Sequence, residues 1–191
     1  MLPSHHGFAF YEAGKWSKAP GPEHDYMGFS ATASAIYSSG HPAPGTDLVN
    51  PFGLLRSKHG GKTWDKLALE GESDFHAMAP SWNANAIYVW NPQPNSRMKR
   101  DGLHYTRNDG FSWTRGAAKG FDGNPYALAV HPDDAKSVAL AAPDGVFVAQ
   151  LVIPGQRYDR AKLAASYQAF YQRLATLPGS TSAPLTSLVP H

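Results

Sequence analysis

The 191-residue chain has no cysteine, which excludes disulfide scaffolds, thiolate nucleophiles, zinc ribbons and iron–sulfur clusters together. It also lacks an excess of either charge. Lys and Arg number 17 and Asp and Glu 15, a formal +2 with histidine neutral. That balance gives no field to steer nucleic acid or to hold an acidic lipid surface, so nucleic acid is not expected as a partner. Long hydrophobic runs are missing as well. The longest, residues 146–153, is interrupted by Gln150 and falls far short of the roughly 20 residues of a membrane helix, so no membrane span is expected. The opening residues Met1-Leu2-Pro3-Ser4-His5-His6-Gly7 show no basic stretch leading into an apolar one, the pattern of an export signal.

What the chain does contain is 42% apolar residues, enough to fill a core. It also has 18 glycines, 16 prolines, nine Tyr, nine Phe and five Trp. Turn formers in that number among aromatics predict many short strands, and a period follows. Gly7-Phe8-Ala9-Phe10-Tyr11, Gly53-Leu54-Leu55-Arg56-Ser57, Gly102-Leu103-His104-Tyr105-Thr106 and Gly145-Val146-Phe147-Val148-Ala149 begin 46, 49 and 43 residues apart. Behind them stand the aromatics Trp16, Trp64, Trp113 and Tyr171. Two further strand-like runs recur, around Asp25 and Ala35, around Asp74 and Ala86, and around Pro125 and Ser137. Four strands every 40–50 residues is the arithmetic of a β-propeller blade. The fold class is therefore expected to be all-β, three to four blades of four antiparallel strands in an incomplete ring. Trp16, Trp64 and Trp113 are expected in equivalent places between blades.

The turn between the third and fourth strands repeats most closely. Ser57-Lys58-His59-Gly60-Gly61-Lys62-Thr63-Trp64 and Thr106-Arg107-Asn108-Asp109-Gly110-Phe111-Ser112-Trp113 share the pattern Ser/Thr-x-Asp-x-Gly-x-Thr/Ser-Trp. This resembles the Asp-box, or BNR, repeat of sialidase-like propellers. His59 and Asn108 stand where that family usually has Asp. The resemblance assigns Ser57, His59, Gly61, Thr63, Trp64, Thr106, Asn108, Gly110, Ser112 and Trp113 to structural turns rather than to chemistry. Residues 1–148 look like a bacterial subgroup often labelled glycosyl hydrolase-like. That implies an exported or cell-envelope protein and a ring of six or more blades, of which this chain would be a part.

The expected layout is one partial propeller domain over residues 1–191. A half blade spans 7–18, blades span 25–69 and 74–117, a disturbed blade spans 125–176, and a further blade begins at 185–191. Leu163, Tyr167, Phe170, Tyr171 and Leu174 fall at helical spacing, which predicts a short helix near 159–170.

In such blades the connections on the rim opposite the Asp-box turns carry the candidate site. The topology gathers there His24, Tyr26, His41, Phe75, His76, Asn91, Asn95 and Arg97 as ligand-binding candidates. Asp25 and Asp74, in equivalent places of adjacent blades, form a candidate pair for the two-carboxylate chemistry of glycoside hydrolysis. Sialidase chemistry, as the resemblance would have it, uses three arginines, and only Arg97 and Arg100 lie in these loops. Two function classes stand side by side. One is a binding platform for a carbohydrate, a small molecule or a protein, and the other is a glycosidase-like enzyme. No cofactor and no metal is expected, because no local spacing of histidines supports one.

Overall fold

The computed structural model describes residues 1–118, 121, 123–142 and 145–150, the last six by backbone alone. The helix expected near 159–170, the end of the blade expected over 125–176 and the strand expected at 185–191 lie outside the described residues. Within them the protein is all-β. The first sheet holds β1 (Leu2–Ser4), β2 (Gly7–Glu12) and β3 (Lys15–Lys18), and the second β4 (Asp25–Ala31), β5 (Ile36–His41), β6 (Leu54–Ser57) and β7 (Asp65–Ala68). The third sheet holds β8 (Met78–Pro80), β9 (Ile87–Asn91), β10 (Gly102–Thr106) and β11 (Thr114–Arg115). The fourth holds β12 (Ala127–Val130), β13 (Ser137–Ala142) and β14 (Gly145–Gln150). In each sheet the strands pair in chain order and antiparallel. One strand differs from the sequence reading. Leu2–Ser4, outside the half blade expected over 7–18, pairs with β2 and adds a third strand ahead of that hairpin.

The glycines that set the period have a backbone reason. Gly7, Gly53 and Gly102 carry φ of 93°, 68° and 100°, a region closed to most L side chains. At Gly53 a Cβ would also lie 2.2 Å from the Ala68 carbonyl oxygen.

Successive sheets stack through their first strands, with β4 against β8 and β8 against β12, while β1 lies against β4. Gly28 on β4 makes that approach possible, since a Cβ there would sit 1.9 Å from the Phe75 carbonyl oxygen. The core fills the gaps between sheets. Leu54, Phe75, Met78, Ile87, Val89 and Met98 cluster between the second and third sheets. Phe8, Tyr26, Phe52 and Leu55 fill the gap between the first and second, and Ala86, Tyr88, Leu103 and Val138 that between the third and fourth. Ile87 and Val89 therefore face one gap and Tyr88 the other, the period of two of a strand buried on both faces. The result is a run of antiparallel propeller blades, two of four strands and two of three among the described residues, in an incomplete ring.

The two repeated turns close in the same way. The Ser57 hydroxyl oxygen accepts from the backbone N–H of His59 at 3.3 Å and of Gly61 at 2.9 Å. Thr106 accepts from Asn108 at 3.3 Å and Gly110 at 2.9 Å. Across each turn, His59 Nδ1 meets the Thr63 hydroxyl at 2.7 Å, and Asn108 Oδ1 accepts from the Ser112 N–H at 3.0 Å. Neither link requires an Asp at that position. Each turn carries its indole into the gap between its own sheet and the preceding one. Trp64 stacks on Phe8 and Tyr26 at 5.5 and 5.1 Å, and Trp113 packs with Phe75 in the next gap. Trp16 does not follow them. It is 58% exposed and touches Tyr11 of its own hairpin, because among the described residues no sheet stands in front of the first.

Candidate functional site

His41 ends β5, and the chain then loops through residues 42–53 before returning as β6. The repeated turn at 57–64 lies at the far end of β6, since Ile36 rather than His41 pairs with Ser57. His41 is thus at the opposite end of the sheet from that turn. Two neighbours bring carboxylates to it. Asp25 is its cross-strand partner on β4, and Asp74 comes from the connection before β8. That connection is fixed by Phe75, which is fully buried and whose N–H donates to the Ser39 hydroxyl at 2.9 Å. With Phe75 turned into the core, its neighbours Asp74 and His76 are left at the rim.

The contacts form a chain. Asn50 Oδ1 lies 2.7 Å from His41 Nδ1, and His41 Nε2 lies 3.1 Å from Asp74 Oδ2. The same Asp74 oxygen receives His76 Nε2 at 2.6 Å. Asp74 Oδ1 is buried and has no hydrogen-bond partner among the described residues. On the other flank His5 Nδ1 donates to Asp25 Oδ1 at 2.8 Å. Exposure separates the members, at 15% for Asp74 and 39% for His41 but 62% for His76 and 77% for His5. The hydrogen bond to Asn50 holds the pKa of His41 above the ordinary imidazole value. Partial burial opposes the rise, and Asp74 and then Asp25 reinforce it. Among the described residues no group of three or more His, Asp or Glu side chains is arranged to hold a metal ion.

The other expected ligand residues are elsewhere or already engaged. Tyr26 and Phe75 are 2% and 0% exposed and belong to the core, leaving no face for a ligand. An aromatic beside a charged residue is as consistent with an anchor as with a binding platform, and burial decided between them. His24 Nδ1 accepts the Ala43 N–H at 3.1 Å, and burial lowers its pKa, which suits a neutral ring pinning the 42–53 loop. Asn91 is fully buried and ties the carbonyls of Gln93 and Arg100. Asn95 joins Ser73 and Asn91 and accepts from the Arg97 and Met98 N–H groups. Arg97 bonds the Phe111 carbonyl and lies 5.6 Å from that ring's centre. Conversely, Asn50, which sets the orientation of His41, gave no signal in the sequence. It stands in a Pro- and Gly-rich loop with no periodicity, and only the tertiary path of residues 42–53 brings it to the ring.

Strand order and sheet junctions define an all-β protein of antiparallel propeller blades, with a His/Asp cluster where the second and third blades meet. No family model matches the chain, and no curated protein does. Among solved structures it is similar to the GH74 xyloglucanase of Xanthomonas campestris, at 18% identity and a TM-score of 0.48. The match covers 76% of this chain and 24% of that one; the chain spans about a quarter of that protein's length. No helix among the described residues is long and apolar enough to cross a membrane.

Proposed function

We propose that this protein is a BNR-type propeller module that binds a hydroxylated polar ligand, a carbohydrate, at the rim formed by His5, Asp25, His41, Asp74 and His76. One observation carries the proposal. Side chains from three separate segments meet around His41, with two carboxylates fixed beside it and two exposed imidazoles, His5 and His76, at the margin. Carboxylate oxygens and imidazole nitrogens placed by a rigid scaffold suit ligand hydroxyls. The turns at 57–64 and 106–113 take the structural part, as Asp-box-like locks that seat Trp64 and Trp113.

The same two carboxylates, flanking one imidazole, support a second reading as a glycosidase that uses Asp25 and Asp74. Calorimetric titration of the full chain with a panel of mono- and oligosaccharides tests the first. Binding to wild-type protein, lost in the double variant Asp25→Asn/Asp74→Asn, is the expected result. Absence of binding across the panel would overturn it. Release of reducing sugar by wild-type protein, abolished in the double variant with affinity retained, would favour the glycosidase.

A further inference from the structure

The hydrogen bonds around Asp74 fix more than position. Asn50 Oδ1 and the Asp74 carboxylate can only accept, so His41 donates to them from both ring nitrogens and stands as a cation between them. His76 also gives its Nε2 proton to Asp74 Oδ2, at 2.6 Å. A neutral His76 therefore carries its proton on Nε2 and its lone pair on Nδ1. The ring is 62% exposed, so Nδ1 meets solvent at the rim. An imidazole whose tautomer is set by a carboxylate, with the other nitrogen free toward a ligand, is the arrangement that makes histidine a general base.

We infer that His76 is a general base acting on water that attacks an acyl ester of a rim-bound ligand, with Asp74, His41 and Asn50 as its positioning residues. An ester fits this site better than a glycosidic bond. Glycoside cleavage needs a protonated carboxyl group facing the leaving oxygen. Asp74 Oδ2 is committed to two imidazoles and its Oδ1 is buried, so the reactive group presented to solvent is the imidazole. In the step, His76 Nδ1 takes a proton from water as the water oxygen bonds to the ester carbonyl carbon. The carbonyl pair moves onto its oxygen. On collapse the bond to the alcohol oxygen breaks, and the imidazolium returns its proton there. An acid and an alcohol leave, nothing is oxidised or reduced, and Asp74 remains a carboxylate throughout.

The inference uses the site of the binding proposal, yet its test needs no carbohydrate. The probe is p-nitrophenyl acetate with the full chain. His76→Gln is expected to lower the second-order rate by at least about a hundredfold, the low side of what a positioned base contributes. Asp74→Asn, which removes the carboxylate that holds the Nε2–H tautomer, is expected to lower the rate as His76→Gln does while keeping the wild-type circular dichroism. Nitrogen-15 NMR of the neutral wild-type ring is expected to place the proton on Nε2. A His76→Gln variant that hydrolyses at the wild-type rate, or a ring protonated at Nδ1, would overturn the inference. Should that variant not fold, diethyl pyrocarbonate labelling of wild-type protein decides: His76 is expected to react faster than the exposed His6, and equal rates would overturn it. Absence of sugar binding alongside retained His76-dependent hydrolysis would remove the binding proposal and leave this one standing.

Discussion

The indole at the end of each repeated turn offers a quantitative comparison inside one molecule. Replacing a fully buried Trp by Ala costs about 3–5 kcal/mol, and Trp64 is half-buried, which brings the packing part to about 2 kcal/mol. Its stacks on Phe8 and Tyr26, at 5.5 and 5.1 Å, add about 0.5–1 kcal/mol. The indole Nε1 is buried with no hydrogen-bond partner among the described residues, so no hydrogen bond to them is lost with it. Trp64→Ala is therefore expected to destabilise by about 2–3 kcal/mol. Trp64→Phe keeps a ring against Phe8 and is expected to cost about 1 kcal/mol. Trp16 occupies the same place in the repeat but is 58% exposed and has one aromatic neighbour among the described residues, so Trp16→Ala is expected to cost under about 1 kcal/mol. Urea unfolding followed by circular dichroism measures all three. If Trp64→Ala and Trp16→Ala agree within about 0.5 kcal/mol, the error of such additive comparisons, the indole does not act as the link between sheets.

Three further outcomes are expected. Gly28→Ala would set a Cβ 1.9 Å from the Phe75 carbonyl oxygen, and because backbone must move, a loss above about 2 kcal/mol is expected in the same unfolding assay. Thr106→Val removes the acceptor of the Asn108 and Gly110 N–H groups, with an expected cost of about 1–3 kcal/mol; a melt unchanged from wild type would show that the hydroxyl does not close the turn. The folded pKa of His41 is raised above 6.5, first by Asn50 and, against the effect of burial, by Asp74 and Asp25. Its stabilisation is thus complete below pH 6.5 and declines as pH rises through the folded pKa. His41→Gln is expected to flatten that alkaline decline in stability measured against pH, and an unaltered slope would refute the assignment.

Much of this fold was legible in the sequence because its causes are local. A glycine with positive φ stands at the start of β2, β6 and β10, a Ser or Thr hydroxyl caps each repeated turn, and apolar residues alternate along strands buried on both faces. Backbone sterics and hydrogen bonds over a few residues impose all three, so they recur wherever the unit recurs. Strand order alone also put Asp25 and Asp74 on the rim away from the repeated turns, where the one pairs across from His41 and the other bonds its ring. What the sequence could not decide is which face each rim residue turns to solvent. Phe75 and Tyr26 look like a ligand platform until the neighbouring sheet covers them, and Trp16 matches Trp64 in pattern while no sheet among the described residues covers it. His41, Asp74 and Asn50 meet only because Phe75 is anchored in the core and the 42–53 loop folds back, contacts between segments far apart in the chain. Burial and long-range hydrogen bonding depend on what lies across a gap, and a local pattern carries no record of that.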